Sequence, residues 1–302
     1  MQKITSHLWF DKEAKESAEF YVSIFPDSKI KKHSVIKGTP SGDCDIMSYE
    51  LSGHSFMSIS AGPYFKINPA ISFMVNFDPS RDSDAKENLT KLWEKLLDGG
   101  VALMPLQEYP FSKWYGWVQD KYGVSWQLIL TNPDGEERPF IVPTILFVGE
   151  ANGKAEEAVD YYLSVFKDST LGTRIKYPAG ALPNKEGTIM FSDFALLGNW
   201  FVAMDGAGEH AFQFNEAVSF VIECDTQEEI DYYWEKLSAV PESEQCGWFK
   251  DKFGVSWQIV PTRMNEMMQS GTGDQIKRVT ESFLQMKKFD IAKLEEAFEG
   301  EK

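Results

Sequence analysis

Gly116-Trp117-Val118-Gln119-Asp120-Lys121-Tyr122-Gly123-Val124-Ser125-Trp126-Gln127 recurs as Gly247-Trp248-Phe249-Lys250-Asp251-Lys252-Phe253-Gly254-Val255-Ser256-Trp257-Gln258, displaced by 131 residues and identical at nine of twelve positions. A repeat of this quality constrains the fold, because both copies must adopt the same local structure. Outward from it, Ala70-Ile71-Ser72-Phe73 answers Ala217-Val218-Ser219-Phe220, and Trp93-Glu94-Lys95-Leu96 answers Trp234-Glu235-Lys236-Leu237. Ser23-Ile24-Phe25 likewise answers Ser164-Val165-Phe166. The order is preserved, so the repeating unit is nearly a whole domain and not a short solenoid element. The expected organisation is a first domain over 1–131, a linker over 132–140 containing the turn Asn132-Pro133-Asp134-Gly135, and a second domain over 141–302.

Within each copy the hydrophobic period switches from strand to helix and back. His7 to Phe10 reads as a strand, and Ala14, Ala18, Tyr21, Val22 and Phe25 then share one helical face. Strands follow to Ser60, and the same cycle restarts at Ala70, with Leu89, Leu92, Trp93 and Leu96 on a helix and strands to Leu130. The second copy repeats this from Ile141, and Thr226-Gln227-Glu228-Glu229 reads as a capping box opening its second helix. Each domain therefore reads as an α+β unit of two βαβββ modules, whose sheet carries helices on one side and leaves the other as a cup. After Pro261, Gln275 to Lys287 and Ile291 to Phe298 read as a C-terminal helical tail on the second domain.

Composition narrows the function. With 30 Lys and Arg against 46 Asp and Glu, the net charge of −16 repels phosphate backbones and anionic lipid, so neither nucleic acid nor a membrane surface is an expected partner. The basic run Lys29-Ile30-Lys31-Lys32 reads as a solvated strand edge. Cys44, Cys224 and Cys246 form no C-x-x-C pair, no secretory signal pattern opens the chain and no apolar run reaches 18 residues, so a cytoplasmic protein is expected.

Four βαβββ modules with strand endings of the form G-V-S-W-Q, and openings such as Leu8-Trp9-Phe10 and Ile145-Leu146-Phe147, resemble the vicinal oxygen chelate superfamily of glyoxalase I, bleomycin-resistance proteins and extradiol dioxygenases. The second copy is similar to the PhnB-like branch, through Ala217 to Val221, Gln245 to Pro261 and Gln285 to Ile291; the first copy is looser, with Tyr115 where the second has Cys246. The resemblance implies tandem glyoxalase/bleomycin-resistance-like domains, each forming a cup, with the fusion acting as an internal pseudo-dimer open to further self-association. Members of the branch often carry a demethylubiquinone methyltransferase label. The Gly-rich turn and ribose-binding acid that such an enzyme needs are not present in this sequence.

In metal-dependent members, His and Glu side chains on cup strands hold a divalent ion that stabilises an oxyanion. Carried onto this sequence, the ligand positions fall on His7, approximately Ser60, Ser72 and Gln127 in the first copy, and on Thr144, approximately Asp205, Ser219 and Gln258 in the second. Only His7 and Asp205 are good ligands, so no intact metal site and no cofactor are expected. The expected function is small-molecule binding through His7, Ser72, Gln127, Thr144, Asp205, Ser219 and Gln258. The alternative is a metal-dependent lyase, isomerase or dioxygenase of glyoxalase type, with His7 and Gln127 as residual metal ligands and His7 as the candidate catalytic base. A fold serving subunit association alone is the third reading. Alternation turns Trp126 and Trp257 toward the helices as core. His33, His54 and His210 read as surface residues, Cys246 as a buried inert thiol, and Asp120-Lys121 and Asp251-Lys252 as hairpin turns without chemistry.

Overall fold

The computed structural model describes residues 3–39, 41–132 and 134–300. The first copy runs β1 (Ile4–Phe10), α1 (Ala14–Ile24), β2 (Lys29–Thr39), β3 (Gly42–Leu51) and β4 (His54–Ser60), then β5 (Ile71–Phe77), α2 (Ala85–Leu97), β6 (Val101–Tyr109), β7 (Ser112–Gln119) and β8 (Ser125–Leu130). These are the two expected βαβββ modules. The second copy gives β9 (Ile141–Phe147), α3 (Ala155–Val165), β10 (Thr170–Lys176), β11 (Ile189–Leu196) and β12 (Asn199–Asp205), then β13 (Val218–Cys224), α4 (Gln227–Leu237), β14 (Trp248–Lys250) and β15 (Ser256–Pro261). Its last module has one strand fewer, because only ten residues separate Leu237 from Trp248 against 19 between Leu97 and Trp117. Pro133 of the linker turn lies outside the described residues, but Gly135 N–H still donates to the Asn132 carbonyl at 2.9 Å.

The helices form as the periodicity dictates. α1 buries Ala14, Ala18 and Tyr21 on one stripe, α2 buries Leu89, Leu92, Trp93 and Leu96, and Thr226 caps α4 by accepting from Glu229 N–H. Inside each copy the helix-bearing faces of its two modules pack together. Tyr21, Phe25, Phe56 and Phe73 pack around Trp126 in the first, with ring centroids 4.9–6.3 Å away; Tyr162, Phe166 and Phe220 pack around Trp257 in the second. Both tryptophans are fully buried, so their reading as core holds. Burial of each such ring contributes about 2–3 kcal/mol.

The sheets do not follow the copies. The seven-stranded sheet runs β14-β15-β13-β1-β4-β3-β2, and the eight-stranded sheet runs β10-β11-β12-β9-β5-β8-β7-β6. The antiparallel seams β1–β13 and β5–β9 each join a module of one copy to a module of the other. Each cup is thus shared between copies, which corrects the expectation that each copy closes its own. The physical reason is that each copy buries its helix-bearing faces against each other, leaving the first strand of every module as an unpaired edge that the other copy completes. Asn68 and Asn215 clamp this pseudo-twofold arrangement: Asn68 Nδ2 donates to the Gln213 carbonyl and Asn215 Nδ2 to the Lys66 carbonyl, at 2.9 and 2.8 Å.

The tail forms three helices, α5 (Thr262–Ser270), α6 (Gly273–Phe283) and α7 (Ile291–Glu299), of which the sequence pattern indicated the last two. Their small core of Met267, Val279, Phe283, Phe289 and Leu294 also gathers Val260 of β15 and Ile36 of β2. Those strands lie on opposite sides of the first sheet, so the tail reaches across its cup to the first copy and does not pack on the second alone. Cys246 and Gly247 N–H donate to the Met286 and Lys287 carbonyls, at 2.8 and 2.7 Å, so tail backbone pairs with the segment that leads into β14.

Candidate functional site

Strand alternation sorts each sheet into a core face and a cup face. On β1, Ile4, Leu8 and Phe10 enter the core, which sends Thr5, His7 and Trp9 into the first cup. His7 lies opposite Ser219 on β13, and Ser219 is in turn paired with Ser256 on β15. Gln258, two residues further along β15, donates from Nε2 to Ser219 Oγ at 3.0 Å. Trp248 walls the group, its ring centroid 5.1 Å from His7 and 6.0 Å from Trp9. β14 and β1 are three strands apart, roughly 14 Å in a flat sheet, so this contact reports a sheet curled into a cup.

His7 is 3% exposed, and its Nδ1 is buried without a hydrogen-bond partner. Desolvation holds its pKa down at about 3, so the imidazole is neutral at physiological pH. A neutral imidazole carries one N–H donor and one lone-pair acceptor, and here it offers that polarity to a floor otherwise walled by aromatic rings.

The second cup has the same plan with different chemistry. Thr144 on β9 lies opposite Ser72 on β5, Gln127 Nε2 donates to Ser72 Oγ at 2.8 Å, and Tyr115 Oη donates to Gln127 Oε1 at 2.7 Å. The Tyr115 hydroxyl consumes the acceptor that would otherwise face the cup, and burial raises its pKa. Arg138, from the linker, donates to Asp193 at 2.6 Å and stacks 3.8 Å over the Trp200 ring, filling one end of this cup. Alternation backwards from Gln127 finds Trp117 and Tyr115, whereas the role of Arg138 has no local sequence signal.

Three expectations need correction. His7 and Gln127 cannot share a metal ion, because β1 and β8 belong to different sheets. Asp205 points to the helix side of its sheet, where Gly153 and Ala155 N–H donate to one carboxylate oxygen and Ile189 N–H to the other. Ser60, its counterpart, accepts from Ala14 N–H in the same way, so both approximate positions were displaced by one residue from the cup face. His54 is not a surface residue: it is 7% exposed, its Nε2 lies 2.9 Å from Ser6 Oγ, and burial holds its pKa at about 4. His210 is exposed, and His33 lies at the surface, 2.6 Å from Asp45. Cys246 is half-buried in the tail's apolar cluster, and burial raises its pKa, which disfavours a thiolate.

The turn carboxylates are buried clamps. Asp120 accepts from Tyr21 Oη, Trp126 Nε1 and the N–H groups of Tyr122 and Val124; Asp251 accepts from Tyr162, Trp257, Phe253 and Val255 in the same pattern. They lock the turn before each last strand onto the first helix of the same copy and take no part in either cup.

The donors on the cup floors do not fit a divalent ion. The floor around His7 supplies one imidazole, one neutral amide and a hydroxyl already bonded to that amide, while the carboxylate on the same face of β13, Glu223, lies four residues beyond Ser219 and accepts from Asn265 of α5. Among the described residues no three His, Cys, Asp or Glu side chains form a group able to hold a metal. Among the described residues no helix is long and apolar enough to cross a membrane.

Comparison with known proteins agrees with this architecture. A family model described as 3-demethylubiquinone-9 3-methyltransferase matches residues 2–129 and again 139–260. The PhnB protein of Bacillus cereus, described by the same methyltransferase name, is 37% identical over 43% of this chain and 100% of its own, with a TM-score of 0.39. A Staphylococcus aureus protein is 31% identical over 44% of this chain and 98% of its own, with a TM-score of 0.18. Glyoxalase I from Zea mays shares the fold over 85% of this chain and 93% of its own, at 11% identity and a TM-score of 0.52. No curated protein matches the chain. With the family model matched once by each copy and the paired sheets of a vicinal oxygen chelate fold, the chain belongs to the 3-demethylubiquinone-9 3-methyltransferase, or PhnB-like, family in a tandem two-copy form.

Proposed function

We propose that this protein binds small molecules without a resident metal, and that its first cup receives a compact, partly aromatic ligand bearing a hydrogen-bonding group. The observation that carries this reading is His7: a buried neutral imidazole with an unpartnered Nδ1, set among Trp9, Trp248 and the Gln258–Ser219 pair. An unmade buried hydrogen bond costs about 1–3 kcal/mol, a cost that a ligand hydroxyl reaching Nδ1 would remove. β14, which carries Trp248, is an edge strand of three residues, so the wall that must move to admit a ligand is held by few backbone bonds.

The family description names methyl transfer. Cofactor binding of the usual kind uses a Gly-rich turn between a first strand and its helix, but here Asp11-Lys12-Glu13 joins β1 to α1. The fold alone does not assign a reaction, and the residues of the cup speak for binding.

The test is a titration with phenol in chelator, followed by tryptophan fluorescence, in wild type and His7→Phe. Saturable quenching weakened roughly tenfold by His7→Phe is expected, corresponding to one hydrogen bond to the ligand. No saturable change would overturn the reading. Binding that appears only on adding nickel or zinc, and is lost in His7→Phe, would replace it with the metal-dependent alternative.

A further inference from the structure

An open, solvent-facing cleft of about 590 Å³ lies between α5 and the sheet, lined by Lys31, Lys32, Ser48, Met268 and Gln269. That volume lies within the usual range of small-molecule clefts. Its position relative to the cup floor follows from strand register. Lys32 is paired with Ser48, Ser48 with Met57, Met57 with His7 and His7 with Ser219, so these residues form one row across β2, β3, β4, β1 and β13. At roughly 4.8 Å per strand, Ser48 stands about 10 Å from His7 along the row and Lys32 about 14 Å. The cleft therefore lies at the far end of the first cup, with Met268 of α5 along one side.

The charges there are uneven. Lys31 is neutralised by Glu50, with Nζ 2.6 Å from its carboxylate. Lys32, among the described residues, makes no ion pair and no hydrogen bond. In a chain of net charge −16, an ammonium that lines a cleft and makes no ion pair of its own is a favourable place for an anion.

The pseudo-symmetric place in the second cup is already filled. Asp193 corresponds to Ser48, since each lies three residues before the matching hairpin leucines Leu196 and Leu51. Asp193 carries a charge there and receives Arg138 of the protein itself, stacked on Trp200. In the first cup the matching position, Ser48, carries no charge; Glu50 and Glu223 on the same face act on Lys31, and Lys32 beside Ser48 is left without an ion pair among the described residues.

We infer that the first cup binds an amphiphilic monocarboxylate, its anionic end at Lys32 beneath α5 and its apolar or aromatic body along the row toward Met57, Trp9 and His7. This rests on the small-molecule reading of that cup and names its ligand class. Met57 and Met268 suit an apolar body of variable shape, because methionine adapts its packing.

The experiment is calorimetric titration of the full chain with 2-naphthylacetate and with its neutral isostere 2-naphthylacetamide, in wild type, Lys32→Met, Lys31→Met and Met268→Trp. The acid is expected to bind wild type and Lys31→Met roughly tenfold more tightly than the amide, to lose that preference in Lys32→Met, and to bind weakly to Met268→Trp, which fills the cleft. Circular dichroism of each variant verifies folding. Equal binding of acid and amide by wild type, or a preference that survives Lys32→Met, overturns the anion seat while saturable phenol binding leaves the cup reading standing. Failure of both naphthyl compounds overturns the seat as well, and failure of phenol alongside them removes the cup reading too.

Discussion

His7 of the first sequence copy and Ser219 of the second are directly opposed across the antiparallel β1–β13 seam. Neither copy owns the first cup: the imidazole comes from one half of the chain, and the hydroxyl with its Gln258 partner comes from the other. A tandem chain fixes this pairing at one-to-one stoichiometry and frees the two cups to diverge, which they have done. One floor holds a histidine with an unpartnered nitrogen; the other closes its glutamine with Tyr115 and its far end with Arg138.

Acid sensitivity should trace in part to His7. Its folded pKa of about 3 lies below the unfolded value of 6.5, so the unfolded chain binds the proton more readily and stability falls as pH drops below about 6.5. At pH 4.5 the gap amounts to about 3 kcal/mol relative to pH 8. Urea unfolding of wild type and His7→Gln at both pH values should show wild type losing more stability on acidification. Parallel losses would contradict the assignment.

Asp120 should act in the opposite direction. Burial, working against its hydrogen bonds, raises its pKa to about 6, above the unfolded value, so the native state holds the proton longer. Its contribution to stability is greatest below about pH 4 and declines as pH rises through 6, by about 3 kcal/mol. The stability difference between wild type and Asp120→Asn should therefore shrink between pH 4 and pH 7 in denaturant titrations. A constant difference would refute this.

The Tyr115–Gln127–Ser72 chain should behave as one unit. Tyr115→Phe removes the donor to a buried amide oxygen and should cost about 1–2 kcal/mol, whereas the same substitution in a Gln127→Leu background should cost markedly less. A double-mutant cycle on unfolding free energies measures the coupling. Additive effects would mean that the chain does not stabilise the second cup.

The repeated glycines of the G-W-x-x-D-K segment should resist alanine for two different reasons. A Cβ on Gly116 would stand 2.5 Å from the Trp93 ring. Gly247 has φ +82°, and a Cβ there would stand 2.6 Å from both the Ile259 carbonyl and the Phe289 ring. Each substitution should lower thermal stability by about 1–3 kcal/mol. Gly247→Ala should also loosen the tail, visible as faster amide exchange in α6 and α7.

Much of the fold was legible in the sequence because it depends on local periodicity. Two-residue alternation placed Trp126 and Trp257 in the core and Gln127 and Gln258 opposite them, and helical spacing located α1 to α4. Alternation failed at Ser60 and Asp205, where an error of one residue in register moves a side chain to the other face. It failed differently at His54, which strand ends and turns suggested was exposed. Its burial arises from Phe56 and Phe73, and Phe73 lies on the other module of the same copy. The helix α5 was missed because Thr262 to Ser270 has a single fully buried residue, Met267, and so no apolar stripe to read.

The sequence by itself determined that this protein is a doubled chain of βαβββ modules, since repetition and hydrophobic period are properties of residue order alone. Only the tertiary structure decided which modules share a sheet, and hence that His7 faces Ser219 and Gln258 while Gln127 faces Ser72 and Thr144. The reason is that strand edges pair through backbone groups common to every residue, so partner choice is written in how the helix-bearing faces pack and not in any local pattern.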